Sequence, residues 1–253
     1  MSLTFRQKEI LRAVRSAGRV AVEALAEAQR VTPQTIRRDL NILCDQGYLA
    51  RVHGGAVLQS GVANTAYDAR KSMAKEAKEA IGRLCAEAIP DDASLFINIG
   101  TTTEAVARHL CTRRDLLVIT NNLNVANIMA TNPQCGVMVT GGMLRRSDGG
   151  LVGESTVDTV QQFKADFAII GTSAIDEDGS LLDFDTGEVR VSQAIIANAR
   201  KVFLVADASK LSRTAPARIG HLREIDGFFS DQPLPAPLRE ICRDHGVLVH
   251  IVG

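Results

Sequence analysis

The chain has 253 residues, 45% of them hydrophobic and 23% charged, with 4% aromatics and no tryptophan. That is ordinary for a soluble globular protein and leaves ample Ala, Val, Ile and Leu for a sizeable core. The formal net charge of zero hides an asymmetry: nine Lys/Arg against five Asp/Glu in residues 1–60, then 20 against 24 in the remainder. A basic leading segment on a mildly acidic body points toward nucleic acid. Five scattered cysteines, none in a Cys-x-x-Cys pair, argue against a disulfide framework or a zinc site and for a reducing compartment. The start MSLTFRQKEI is too charged for a signal peptide, and no apolar run approaches membrane length, so a cytoplasmic protein is expected.

Leu3, Ile10, Leu11 and Val14 are spaced for one buried helical face, with Gly18 as its C-terminal cap. A short second helix is expected from Val22 to Gln29, with Leu25 inward. In the stretch VTPQTIRRDLNILCDQG, Thr32 is a natural N-cap, Pro33 suits the first helical position, and Gly47 ends the helix. Ile36, Leu40 and Leu43 then form the buried stripe, which leaves Gln34, Thr35, Arg37, Arg38 and Asn41 facing outward. Amides pair with adenine edges, arginine grips guanine, and threonine meets a thymine methyl or a phosphate. These types cluster in the part of a helix-turn-helix that enters the major groove. The following YLARVHGGAVL reads as a β-hairpin whose Arg51 and His53 reach a neighbouring phosphate or minor groove.

Periodicity is lost from about Leu58 to Ser72, so the chain divides into a DNA-binding domain (1–58), a linker (59–74) and a larger domain (75–253). A helix over Lys75–Ile89 opens the larger domain. Apolar strands are then expected at Leu95–Ile99, Leu116–Thr120, Val137–Thr140, Phe167–Ile170, Val202–Ala206 and Val247–Val252. Helices are expected near Thr102–Leu110, Leu123–Ala130, Ser155–Phe163, Glu188–Ala199 and Ala236–His245. Apolar strands separated by helices imply a mainly parallel sheet covered on both faces, the α/β class.

Ligands of such sheets bind where strands run into helices at their carboxyl ends. The residues expected there are Gly100, Thr101, Thr102 and Thr103 after the first strand, Asn121 and Asn122 after the second, and Gly141, Gly142 and Arg145 after the third. Asp183 and Glu188 follow the fourth strand and Lys210 the fifth. Glycine followed by hydroxyls at a helix start supplies free amides and room for a phosphate. The bland alternatives are Thr102 as a plain N-cap, Asn121-Asn122 as a turn and Gly141-Gly142 as a loop; the DEDG segment, Asp176–Gly179, is read as an exposed turn. No Walker loop, no G-x-G-x-x-G after the first strand and no metal-spaced His/Cys set is present, so neither metal nor nucleotide cofactor is expected.

TPQTIRRDLNIL followed by RVHGGAV closely resembles the N-terminal winged helix of the DeoR-type bacterial transcriptional regulators. The resemblance extends over nearly the whole chain and implies a sensor domain similar in fold to ribose-5-phosphate isomerase and the CoA transferases. It also implies double-stranded operator DNA as partner, a homo-oligomer (dimer or tetramer), and release of DNA on binding a small phosphorylated effector. TTTEAVARHL, VITNNLNVAN, RRSDGGLVGE and GSLLDFDTGEVR are most similar to the members that respond to glycerol 3-phosphate, with another sugar phosphate as the alternative. An isomerase-like enzyme, with Asp183, Asp185, Glu188 and Lys210 as acid–base groups, is the weaker reading. Glycerol 3-phosphate has no carbonyl to enolise, and fold alone does not establish chemistry.

Overall fold

In the computed structural model, residues 3–17, 19–46, 48–52, 54–58 and 67–253 are described. The expected caps Gly18 and Gly47, the expected DNA contact His53 and the first half of the expected linker lie outside the described residues.

Capping and apolar spacing build the N-terminal unit. It comprises α1 (Phe5–Ala17), β1 (Arg19–Ala21), α2 (Val22–Ala28), α3 (Pro33–Asp45), β2 (Leu49–Val52) and β3 (Gly55–Leu58). The Thr32 hydroxyl accepts from the Thr35 amide at 3.3 Å and Pro33 opens α3, so the helix starts where its sequence dictates. Ile36, Leu40 and Leu43 close a core with Ile10, Val14 and Leu25. Asp39 is buried beneath α1, where it accepts from the Arg6 guanidinium and, at 3.3 Å, from Gln7 Nε2. The wing turns at Gly54 (φ 76°), and β3 also pairs antiparallel with β1, a strand too short for the sequence to reveal.

The larger unit follows α4 (Tyr67–Ser72), a helix inside the segment read as linker. It begins with α5 (Lys75–Glu87), β4 (Ser94–Ile97), α6 (Thr101–Leu110), β5 (Leu117–Thr120), α7 (Leu123–Met129) and β6 (Gly136–Val139). A hairpin, β7 (Met143–Arg145) with β8 (Gly150–Val152), leads to α8 (Glu154–Gln161) and β9 (Ala165–Ile170). Then come β10 (Ala174–Ile175), β11 (Ser180–Asp183), α9 (Thr186–Ala197) and β12 (Ala199–Val205). The chain ends through β13 (Ala217–His221), β14 (Gly227–Ser230), α10 (Ala236–Asp244) and β15 (Leu248–Ile251). Seven strands form one parallel sheet in the order β15-β14-β12-β9-β4-β5-β6.

That order places the site. From β4 the chain winds outward through β5 to β6, then returns to β9 on the other side of β4 and winds outward through β12, β14 and β15. The reversal leaves a crevice at the carboxyl ends of β4 and β9, where loops leave in opposite directions. One apolar core lies under α5, α6 and α7, the other under α9 and α10. No helix among the described residues is long and apolar enough to cross a membrane.

The expected strands and helices are present with ends shifted by a few residues. Two features depart from expectation. Gly-Phe-Phe-Ser at β14 is a central strand, too short and too closely flanked by Asp226 and Asp231 to read as one. A second sheet, β10-β11-β13, is antiparallel, and its first turn is the exposed DEDG segment.

Gly82 sets how closely α5 lies on α6. A Cβ there would fall 2.7 Å from the Ala105 carbonyl carbon and 2.9 Å from its oxygen, both backbone atoms. Alanine in place of glycine favours an isolated helix by about 1 kcal/mol, so a stabilising Gly82→Ala would mean that α5 moves freely. The clash predicts the opposite sign, a loss of about 1–3 kcal/mol by urea unfolding.

Candidate functional site

On α3, Gln34, Arg37, Arg38 and Asn41 are exposed together and Thr35 is half-buried beside them. Arg37 lies 3.5 Å from both Gln34 Oε1 and Glu23 Oε1, contacts weak enough to yield to DNA. Arg38 and Asn41 have no hydrogen-bond or ionic partner among the described residues. The Thr35 hydroxyl meets that of Thr32 at 2.9 Å, which ties it to the cap. Arg51 is exposed on β2 of the wing. One face of one helix therefore carries amides and guanidinium groups, the surface needed for groove reading.

The crevice at the sheet reversal is a narrow cavity of about 20 Å³. Ile99, Gly100, Thr101 and Thr102 line it after β4; Gly171, Thr172 and Ser173 after β9; and Val205 and Lys210 after β12. Asp183, Glu188 and Arg70 complete the wall. Gly100 precedes α6 with φ 157° and ψ 146°, a conformation that favours glycine, and provides no side-chain cap. The first intrahelical bond of α6 runs from the Glu104 amide to the Gly100 carbonyl at 3.0 Å. The amides of Thr101, Thr102 and Thr103 thus lack intrahelical acceptors at the positive end of the helix dipole. Thr102 sits one residue inside the helix, so it does not do the N-cap's work. The Thr103 hydroxyl donates to the Asn98 and Gly100 carbonyls, each at 2.8 Å, and fixes the turn rather than facing the cavity.

Several buried cations crowd this turn. Lys210 is buried and has no hydrogen-bond acceptor among the described residues. Burial, with Arg213, Lys78 and Arg70 nearby, pushes its ammonium pKa down to about 7, although Asp207 pulls the other way. Arg213 is also buried; among the described residues its Nε has no partner and its Nη2 meets the Met73 sulfur at 3.1 Å. Lys78 donates to the carbonyls of Arg70 and Met73. Burial opposes the charge on Asp207, but Lys210, Ser209 and Lys78 hold its pKa below the usual carboxylate range. Lys210 and Arg213 thus share Asp207 while Arg70 leans on Asp148, and the buried N–H groups of Lys210, Arg213 and Arg70 that lack acceptors among the described residues favour an anion in this low-dielectric place.

The carboxylates on the cavity wall are held differently. Asp183 accepts from the Ser173 hydroxyl at 3.0 Å and from the Phe184 amide at 2.6 Å. Glu188 is ion-paired to Arg145, yet burial and the neighbouring Asp183 raise its pKa to about 7. Burial disfavours the charge on Arg145, but its hydrogen bonds to Asp148 and Glu188 and the charges of those carboxylates outweigh it and raise its pKa.

Several residues expected at the rim are placed elsewhere. Arg145 is engaged by Asp148 at 2.7 Å, by Asp185 at 3.0 Å and by Glu188, so it braces carboxylates instead of offering a free guanidinium. The Asn122 side chain caps α7, accepting from the amides of Asn124 and Val125. Asn121 donates to the Leu151 carbonyl at 3.1 Å, and its buried Oδ1 is unpartnered. Gly141 and Gly142 pack on α8, where the Thr156 hydroxyl donates to the Gly141 carbonyl at 2.7 Å. These four follow β5 and β6, on the far side of β4 from the β9 and β12 loops. Conversely, Arg70, Thr172, Ser173, Lys78 and Arg213 went unnoticed in the sequence. A buried lysine or arginine outside a strand end carries no local mark of its depth.

Above pH 7 the cavity holds Lys210 mostly neutral and Glu188 mostly ionised. A bound phosphate favours the charged lysine, so binding must draw in a proton there, and affinity falls as pH rises from 7 to 9. The lysine alone contributes up to about tenfold per pH unit. Calorimetry at pH 8 in buffers of different ionisation enthalpy reads this as proton uptake. Zero uptake would show that no depressed lysine meets the anion.

Residues 6–62 match the DeoR-like helix-turn-helix domain and residues 73–232 the DeoR C terminal sensor domain. The chain is 45% identical to the glycerol-3-phosphate regulon repressor of Escherichia coli (strain K12) over 251 residues, covering 99% of this chain and 100% of that one. It is 45% identical to the repressor of the same description from Haemophilus influenzae, covering 91% and 90%. Identity is 39% to the HTH-type transcriptional repressor CsqR of E. coli, covering 94% and 92%. A ribose 5-phosphate isomerase from Methanocaldococcus jannaschii aligns with a TM-score of 0.42 at 14% identity over 55% of each chain. With two matching domains in this order and relatives aligned along almost its full length, the chain belongs to the DeoR family of transcriptional regulators.

Proposed function

We propose that the chain is a repressor that binds operator DNA through α3 and the wing and releases it when glycerol 3-phosphate enters the cavity at the end of β4. The observation that carries this reading is the pairing of three acceptor-free amides on α6 with the buried, acceptor-free Lys210, a combination suited to a phosphate dianion. Asp183 and Glu188, on the same wall, suit the hydroxyls of the glycerol part. The relatives whose names specify the glycerol-3-phosphate regulon favour this effector over another sugar phosphate. The cavity acts as a switch, because the same relatives are repressors and Glu188 is held by Arg145 rather than free as a base.

A single recognition helix buries too little surface for tight specific binding, so a homo-oligomer on a roughly palindromic operator is part of the proposal. So is a cytoplasmic location, in contact with the chromosome. Release requires that the effector bind better to the DNA-incompetent arrangement, since equal affinity for both shifts nothing.

A mobility-shift assay on the operator, titrated with glycerol 3-phosphate and several sugar phosphates, tests the reading. Thr102→Val removes a hydroxyl and keeps the shape, so half-release should need about tenfold more effector, or about 1.4 kcal/mol. A variant that responds as the parent does would place the effector elsewhere. Consumption of the compound during the titration would point to an enzyme.

Arg38→Ala tests the DNA half in the same assay. Loss of a base contact relaxes one operator position at a cost of about 1–3 kcal/mol, whereas loss of a phosphate contact weakens all sequences and flattens the salt slope by about 0.9. Parental affinity, specificity and salt slope together would remove Arg38 from the interface.

A further inference from the structure

The helix that enters the sensor domain from the winged helix is anchored on the cavity itself. Tyr67, at the start of α4, donates its hydroxyl to Glu104 Oε2 at 2.8 Å on α6 and accepts from Asn124 Nδ2 at 3.1 Å on α7. One turn later Arg70 lines the cavity, with its side chain 14% exposed. Its Nη2 lies 3.3 Å from Asp148 Oδ2, and its buried Nε has no acceptor among the described residues. Its carbonyl accepts from Lys78.

Asp148 is shared unequally. Arg145 makes two shorter bonds to the same carboxylate, at 2.9 and 2.7 Å, so Arg70 is the second cation on an acceptor already neutralised. A phosphate at the amides of Thr101 and Thr102 would border the same cavity. It offers Arg70 a doubly charged, two-oxygen acceptor that also satisfies the orphan Nε. The Asp148 contact and the phosphate contact compete for one guanidinium, and that guanidinium rides on the helix leading back to the DNA-binding unit.

We propose that Arg70 is the coupling residue of the switch: effector binding exchanges its Asp148 contact for a phosphate contact, and the resulting shift of α4 is what the winged helix feels. This rests on the effector reading above and assigns its regulation to one side chain. A ligand shifts an equilibrium only through contacts that differ between the two states, and Arg70 is such a contact.

The test uses the full-length protein, alone and saturated with operator duplex. Calorimetry gives the glycerol 3-phosphate Kd in each state, and their ratio is the coupling factor, which operator affinity must mirror. The parent should show a ratio of about tenfold or more. Arg70→Ala should bring it within about twofold of unity while weakening the DNA-free Kd by no more than about tenfold. Arg70→Lys, which keeps the charge without the fork, should lie between them, and it gives the same readout if the alanine variant does not fold. A parental ratio in either variant overturns the proposal. So does complete loss of effector binding by Arg70→Ala, which would make the arginine a ligand alone. A parent that binds no glycerol 3-phosphate in either state would instead defeat the effector reading.

Discussion

Burying cationic side chains whose N–H groups lack acceptors among the described residues is the constraint from which the rest of this molecule follows. Lys210, Arg213, Lys78 and Arg70 converge where the sheet reverses direction, and the start of α6 adds its own partial positive charge. Desolvation makes that arrangement unfavourable until an anion arrives. The fold tolerates it by neutralising part of the set with Asp207 and by letting Lys210 shed its proton near neutral pH. In the proposed function, the phosphate supplies the acceptors that these buried side chains lack.

The same cluster joins the two functions of the chain. Asp207 lies near Lys210 on one side and raises the pKa of Tyr48, at the foot of the wing, on the other, after burial has done so first. Lys78, on α5, holds the carbonyls of Arg70 and Met73 at the end of α4. The close fit of α5 on α6 at Gly82 then places the end of α4 beside the turn that opens α6.

Local chemistry decided what was legible in the sequence. Thr32-Pro33 and the Ile36, Leu40, Leu43 stripe define α3 without any long-range information, so its outward face could be read directly. Gly100 after an apolar strand, followed by threonines, marks an anion-ready helix start for the same reason. Asn121, Asn122, Gly141 and Gly142 misled because loop position at a strand end shows accessibility to the rim, not which side of β4 the loop falls on; only the strand order reveals that. Arg145 carried a suitable charge, but its neutralisation by Asp148, Asp185 and Glu188 is tertiary. Arg70 was hidden in a stretch whose small and polar composition reads as linker, although it folds as α4.

The most direct measurement is the thermal melt of the full-length protein and of Lys210→Met at pH 7, each with glycerol 3-phosphate and with glycerol. Lys210→Met removes the ammonium and keeps an apolar side chain of similar length; because it also takes a partner from Asp207, the reading is the effector-induced shift and not the effector-free melting temperature. In the parent, glycerol 3-phosphate should raise the melting temperature and glycerol should not, because a ligand specific for the folded state adds to stability by mass action. In Lys210→Met the glycerol 3-phosphate shift should shrink or vanish. A variant that keeps the full shift would contradict the account, since the phosphate would then be held without Lys210.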